Sequence, residues 1–274
     1  MNRVIAAVDN SAAARPVLSA AAAVGRLFAA GLEAVHVRER GRPGTTTAEA
    51  AAAAAGVELE VLEGETVARL IEVGGRPDVV AVVLGVRGTP GGKRPAGHVA
   101  IEVATSVPKP VVAVPPQCAC PVRLQRILVP LERDMATAAG LREVIEAAGA
   151  AGAEIVLLHV FEERNLPLFT EQPQHEVDAW VGEFVRRYCH YLGRVRVELR
   201  AGVPAEQLLS VAEEIEADAV VLGWGQRLAT GRAAVVRNAL AGSRLPVILV
   251  PVPRAASVVL ASADAEVRGT SGRT

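Results

Sequence analysis

Residues 78–98 read DVVAVVLGVRGTPGGKRPAGH, and the fold turns on this stretch. Val79 to Leu84 is a continuous apolar run, the pattern of a parallel strand buried on both faces. A loop follows that carries Gly85, Gly88, Gly91, Gly92 and Gly97, with Arg87, Lys93 and Arg94 among them. Glycine permits positive φ and lets backbone amides come close to a ligand. A helix expected from His98 to about Ser106 would aim its positive N-terminal end at the same place. Strand, basic glycine loop and helix N-terminus together suit an anion, most naturally phosphate. The plainer alternative is a surface loop.

The same punctuation runs outward from this stretch. Val4 to Val8 reads as a buried strand ending on Asp9-Asn10-Ser11, turn and N-cap residues expected to open a helix from about Ala12 to Ala29. Gly31 ends that helix and Leu32 to Val37 is a second strand. A short alanine helix (Thr45 to Ala55), a third strand (Val57 to Leu62) and a helix near Thr66 to Val73 precede the central strand. Pro110 to Val114 is a fifth strand. The order βαβαβαβαβ predicts an open, mainly parallel sheet with helices on both faces.

After a proline-bounded linker, PPQCACPV at 115–122, the pattern restarts. Arg126 to Leu131 mirrors Arg3 to Val8, and Ala153 to Val160 mirrors the second strand, with His159 in the place of His36. Asp218 to Gly223 mirrors Val80 to Gly85, and Leu245 to Val250 mirrors Lys109 to Val114. A period above 120 residues means a duplicated domain and not a solenoid. The expected division is 1–116, a linker 117–125, a second domain 126–253 and a disordered tail 254–274. Each domain is expected to be an α/β, doubly wound, five-stranded unit. The second carries an insertion, Phe161 to His175, before a helix with Trp180 and Phe184 on one face. The apolar fifth strands would be exposed edges unless they cover one another, which predicts an internal pseudo-dimer.

Composition excludes several classes. Of 274 residues, 51% are hydrophobic, enough for two cores, and a net charge of −1 gives no general attraction to nucleic acid or to an anionic membrane. No apolar run reaches membrane-helix length, and Asp9 interrupts the only early apolar run, so neither a membrane span nor a signal peptide is expected. Three cysteines, Cys118, Cys120 and Cys189, do not make a disulfide framework, and the expected location is the cytoplasm. Aromatic residues are only 3%, so valine-rich strands must supply most of the burial.

In doubly wound sheets, ligands bind beyond the carboxyl ends of the strands where strand order reverses. If strands one and four flank that point, Asp9 faces the glycine loop across a crevice. A carboxylate for sugar hydroxyls opposite donors for phosphate is a layout for a nucleotide. A dinucleotide Rossmann domain would want glycines after strand one, where Asp9-Asn10-Ser11 has none. A receiver domain would want clustered acids, and strand five ends in Pro115-Pro116. Cys118-x-Cys120 has no nearby His or Cys pair to complete a metal site. His36 and His159 read as ordinary packed or hydrogen-bonded histidines.

With these residues the chain resembles the universal stress protein family in tandem form, over nearly all of residues 3 to 252. Nucleotide-binding members carry Gly-x-x-Gly, nine residues, then Gly with Ser or Thr, and an Asp ending strand one. Here Gly85-Val86-Arg87-Gly88 and Asp9 match, but eight residues separate Gly88 from Gly97, and His98 replaces the hydroxyl. A neutral histidine still donates one hydrogen bond. The resemblance implies a site of Asp9, Val37, Gly85, Arg87, Gly88, Gly97, His98 and Val99 for adenine nucleotide, namely ATP accompanied by Mg²⁺. It also implies a sensor or regulator of stress responses, with a homodimer as a further assembly to test. In the second half, Glu132 stands for Asp9, Gly223-Trp224-Gly225 replaces Gly-x-x-Gly, and Ala233-Ala234 replaces Gly-Ser, so that half reads as a degenerate copy. Gly231, Arg232, Arg227 and Arg237 leave it some anion-binding character, and Trp224 reads as a cover more than a base-stacking surface. The alternatives are a slow ATPase, for which the Gly85–Gly97 loop has no acid to activate water, and an interaction scaffold with both sites lost.

Overall fold

The computed structural model describes residues 1–39, 41, 44–86, 96–131, 135–161, 179, 182–183, 195–228 and 233–252. The first half runs β1 (Arg3–Ala7), α1 (Ala14–Leu27), β2 (Gly31–Arg38), α2 (Thr46–Ala55), β3 (Leu59–Glu63), α3 (Thr66–Gly74), β4 (Val79–Gly85), α4 (His98–Ser106) and β5 (Val111–Val114). The second runs β6 (Arg126–Pro130), α5 (Met135–Ala150), β7 (Glu154–Phe161), β8 (Val195–Ala201), α6 (Pro204–Glu214), β9 (Ala219–Trp224), α7 (Ala234–Gly242) and β10 (Val247–Pro251). β8 is the strand the sequence reading left unassigned, although its residues alternate apolar and charged. The expected helix around Trp180 and Phe184, the Phe161 to His175 insertion beyond its first residue, and the tail lie outside the described residues.

All ten strands form one sheet in the order β3-β2-β1-β4-β5-β10-β9-β6-β7-β8. The order is a palindrome: each half contributes the same doubly wound set, and the two fifth strands meet in the middle. Neighbours are parallel except at that centre, where β10 runs antiparallel to β5 with Val247 opposite Ala113, Ile248 opposite Val112 and Leu249 opposite Val111. The edge that would attract another chain is thereby consumed inside the molecule.

Two continuous apolar layers explain the absence of polar alternation in the central strands. On one face Val4, Ala6, Val83, Val112, Ile127, Val129 and Ile248 pack under α1, α2 and α5. On the other, Ile5, Val82, Leu84, Val111, Leu128, Val220 and Leu249 pack under α3, α4, α6 and α7. Successive residues of a strand point to opposite faces, so burial on both requires an unbroken apolar run. Alanines at 20, 21 and 23 let α1 lie close to the sheet.

A second link crosses the centre. The last carbonyls of a helix have no partner within it. At the end of α4 the Gln226 side-chain amide, from the second half, donates to the carbonyls of Ala104 (3.2 Å) and Val107 (2.8 Å). Gln226 holds a left-handed φ of +53° to do so, a conformation uncommon for a side chain of its size. Trp224 packs on the same side, with Leu84, Ala100, Ile101 and Ala104 around it. It is buried, its Nε1 has no hydrogen-bond partner among the described residues, and its role is packing.

Because β5 is apolar and its free edge is covered only by β10, residues 1–116 expressed alone are expected to self-associate. Sedimentation of that fragment at rising concentration measures this, and a stable monomer throughout would contradict the edge argument.

Candidate functional site

β1 lies between β2 and β4, and the chain winds outward from it in both directions. The loops leaving β1 and β4 therefore diverge, and a crevice of about 530 Å³ opens beyond the strand ends. Its base is apolar, from Val8, Val35, Leu84, Val17 and Leu70. Its polar wall carries Asp9, Asn10, His36, Arg38, Glu39 and Thr66, and the start of α4 closes the other side with Gly97, His98, Val99 and Ala100. Of the residues expected from sequence, Asp9, Val37, Gly85, Gly97, His98 and Val99 all line this one crevice. Arg87 and Gly88 lie outside the described residues, as do Lys93, Arg94 and, in the other half, Glu132, Gly231 and Arg232.

The loop after β1 is built differently from the sequence expectation. Asp9 Oδ1 accepts from the backbone N–H and the hydroxyl of Ser11 (3.1 and 2.5 Å), and Ser11 Oγ accepts from Ala13 N (3.2 Å). Asn10 does not cap the helix it precedes. Its Oδ1 accepts from the amides of Thr47 and Ala48 (both 3.0 Å), capping α2, and its Nδ2 donates to Gly44 O. The side chain is short and polar and sits where the β2–α2 loop returns, so it satisfies donors 37 and 38 residues away.

The glycines also act otherwise than through positive φ. Gly97 is extended (φ −63°, ψ 155°), and Gly85 is not among the glycines with positive φ. A Cβ at Gly85 would make ordinary contact with Val17 at 3.5 Å. What these glycines contribute is room and exposed backbone. α4 begins on Gly97 with no side-chain cap, whereas α3 is capped by Glu65, which accepts from Val67 N (3.1 Å) and Ala68 N (2.7 Å). The free first-turn amides and the positive end of α4 thus face the crevice opposite the Asp9 carboxylate.

His36 is a wall residue that the sequence reading set aside as structural. Its Nδ1 lies 2.9 Å from Val8 O. A carbonyl only accepts, so Nδ1 carries the proton and a neutral ring keeps Nε2 as an acceptor. His159 repeats the bond to Leu131 O at 3.0 Å. The signal in the sequence was the repetition itself, since each histidine sits 28 residues after its acceptor.

Among the described residues, the counterpart position in the second half is packed more tightly. A Cβ at Gly223, the counterpart of Gly85, would come within 2.8 Å of Thr137 Cγ2 and 3.0 Å of Val252 Cγ2. Val252 also lies on Gly140. His159 meets Phe161 edge-on at 4.8 Å between ring centroids, where the first half has Arg38 paired instead with Glu63. Ala233 is buried at the start of α7. Among the described residues no group of three or more His, Cys, Asp or Glu is placed to hold a metal ion, and no helix is long and apolar enough to cross a membrane.

Residues 123–251 match the universal stress protein family. By sequence, that segment is similar to the universal stress protein family. Solved structures give the fold of both halves together. A universal stress protein from Archaeoglobus fulgidus DSM 4304 aligns over 92% of this chain and 96% of its own, with 18% identity and a TM-score of 0.65. A putative universal stress protein from Pseudomonas aeruginosa UCBPP-PA14 aligns over 92% and 94%, with 14% identity and a TM-score of 0.62. No curated protein matches the chain by sequence. The doubly wound fold is therefore present twice, while the family match falls on the second half.

The two glycines give a direct check on that difference. Gly85→Ala is expected to leave stability within about 0.5 kcal/mol, as for a substitution without steric conflict. Gly223→Ala should cost about 1–3 kcal/mol through overpacking against Thr137 and Val252. Urea unfolding of the two variants measures both, and equal effects would contradict the tighter packing at Gly223.

Proposed function

We propose that the chain binds one adenine nucleotide, in the crevice of its first half, and works as a nucleotide-responsive regulator in the cytoplasm. The observation that carries the reading is the roughly 530 Å³ space between an acid and an uncapped helix N-terminus. A volume of that size suits a mononucleotide. Asp9 accepts from the ribose hydroxyls, Val37 and the apolar base flank the adenine, and the backbone amides of His98 and Val99 hold phosphate. Arg87, Gly88 and the other residues of the basic loop complete the phosphate side, with Mg²⁺ accompanying ATP. His98 stands where a smaller hydroxyl would suffice, and it contributes mainly through its backbone.

Hydrolysis is not the work of this site. The Gly85–Gly97 loop supplies amides and cations but no acid, and Asp9 is engaged by Ser11 on one side and by ribose on the other. Sustained turnover above about 1 per second that disappears in Asp9→Ala would make the protein an ATPase instead.

Titration calorimetry with ATP tests the proposal. One nucleotide per chain is expected. Asp9→Ala should weaken binding at least tenfold, since a charge-assisted hydrogen bond contributes about 1.5–3 kcal/mol. His98→Ser should leave affinity unchanged or raise it. A stoichiometry of two, or an Asp9→Ala variant that binds like wild type, would place the site elsewhere.

A further inference from the structure

The connection between the halves, 115–125, contains two of the chain's three cysteines, Cys118 and Cys120. Cys118 is buried in the apolar layer that also holds Leu124, Ile127 and Leu141, and Cys120 packs partly buried against the same layer. Both are free thiols. The turn presenting them is closed by Cys118 N, which donates to Pro115 O at 3.1 Å. The segment just after them is pinned to both halves. Arg26 on α1 donates to Val122 O (2.9 Å), while Asp218 at the start of β9 accepts from Gln125 N (2.6 Å) and Arg126 N (2.9 Å).

Hydrogen bonding from Cys120 holds the Cys118 thiol below its ordinary value by favouring its thiolate. Cys120 is pushed up by the same bond, then by burial and by the negative charges of Cys118 and Asp218. Packing alone would account for one small buried thiol, and does not call for a second two residues away on the same apolar layer. A metal site is no better account. Two thiolates need further donors for a tetrahedral ion, and among the described residues none completes such a group.

We infer that Cys118 and Cys120 form a reversible redox site, a dithiol that a peroxide converts into an intramolecular disulfide. The Cys118 thiolate attacks one oxygen of hydrogen peroxide, the O–O bond breaks, and hydroxide leaves to take up the proton that Cys118 had released. Cys118 is now a sulfenic acid. The Cys120 sulfur attacks it, the S–O bond breaks, and the departing hydroxyl leaves as water with the Cys120 proton. Two thiols have lost two electrons and one peroxide has become two waters. Residues two apart cannot be separated by more than about 7 Å between Cα atoms, and a disulfide spans about 4.4–6.8 Å. The chain separation alone therefore permits closure. A ring closed through a single intervening residue stabilises the fold little and is easily reopened by thiols, which suits a switchable site better than a structural staple. The inference is independent of nucleotide binding.

The test uses the full chain, reduced, freed of reductant, exposed to hydrogen peroxide and then alkylated for peptide mass analysis. The peptide holding Cys118 and Cys120 should lose about 2 Da and take up no alkylating agent, and dithiothreitol should restore both thiols. Cys189→Ser should behave identically. Cys118→Ser and Cys120→Ser should each abolish the disulfide. Three results would overturn the inference: both thiols still alkylated after peroxide, a disulfide from either one to Cys189, or sulfinic or sulfonic acid on Cys118 with Cys120 still alkylatable. If a serine variant fails to fold, the wild-type and Cys189→Ser results alone decide.

Discussion

Three facing pairs, Ala113 with Val247, Val112 with Ile248 and Val111 with Leu249, join two five-stranded sheets into one. Each half, taken alone, would end in an unpaired apolar strand at its centre. Pairing the two antiparallel satisfies both ladders and aligns the apolar layers above and below, so each layer runs unbroken across the molecule. The contacts of Gln226 and Trp224 with α4 depend on that junction, which brings a second-half loop to a first-half helix. α4 carries the N-terminus that lines the open crevice, so the second half braces the site from behind.

Duplication has left the two crevices in different states. In the first half, a Cβ at Gly85 would meet Val17 only at ordinary contact distance, and the rim carries polar contacts such as Thr66 to Glu39 (2.6 Å). In the second, Val252 folds back onto Gly140 and Gly223, and Phe161 covers His159. The counterpart of Val252 in the first half is Pro116, which is exposed and leads into the connection instead. Tighter packing by valine and phenylalanine buries apolar area that an open site leaves uncovered. The family match to residues 123–251 rests on the half that took this course, so strand and helix pattern can persist where packing at the strand end differs.

The strands and their pairing were legible because burial on both faces writes itself as unbroken runs such as Val79 to Leu84, and the repeat fixed their order in the second half. β8 escaped because its Arg196, Glu198 and Arg200 break any apolar run at the sheet edge. Most of the expected site residues converge on one crevice, since strand ends and helix starts are local features. Contacts that bridge distant segments were not legible. Asn10 caps a helix beginning 36 residues later, and nothing near it in sequence says so. The packing of Thr137 and Val252 over Gly223 joins residues far apart in the chain.

The central claim is that one crevice takes a ligand and its twin does not. Amide NMR of the full chain during ATP titration tests this most directly, because each crevice reports separately. The account predicts saturable shifts at Val8, Asp9, Gly97 and Val99, with Gly223, Ala233 and Ala234 unmoved. Shifts of comparable size around Gly223 and Ala233, or shifts there alone, would contradict it.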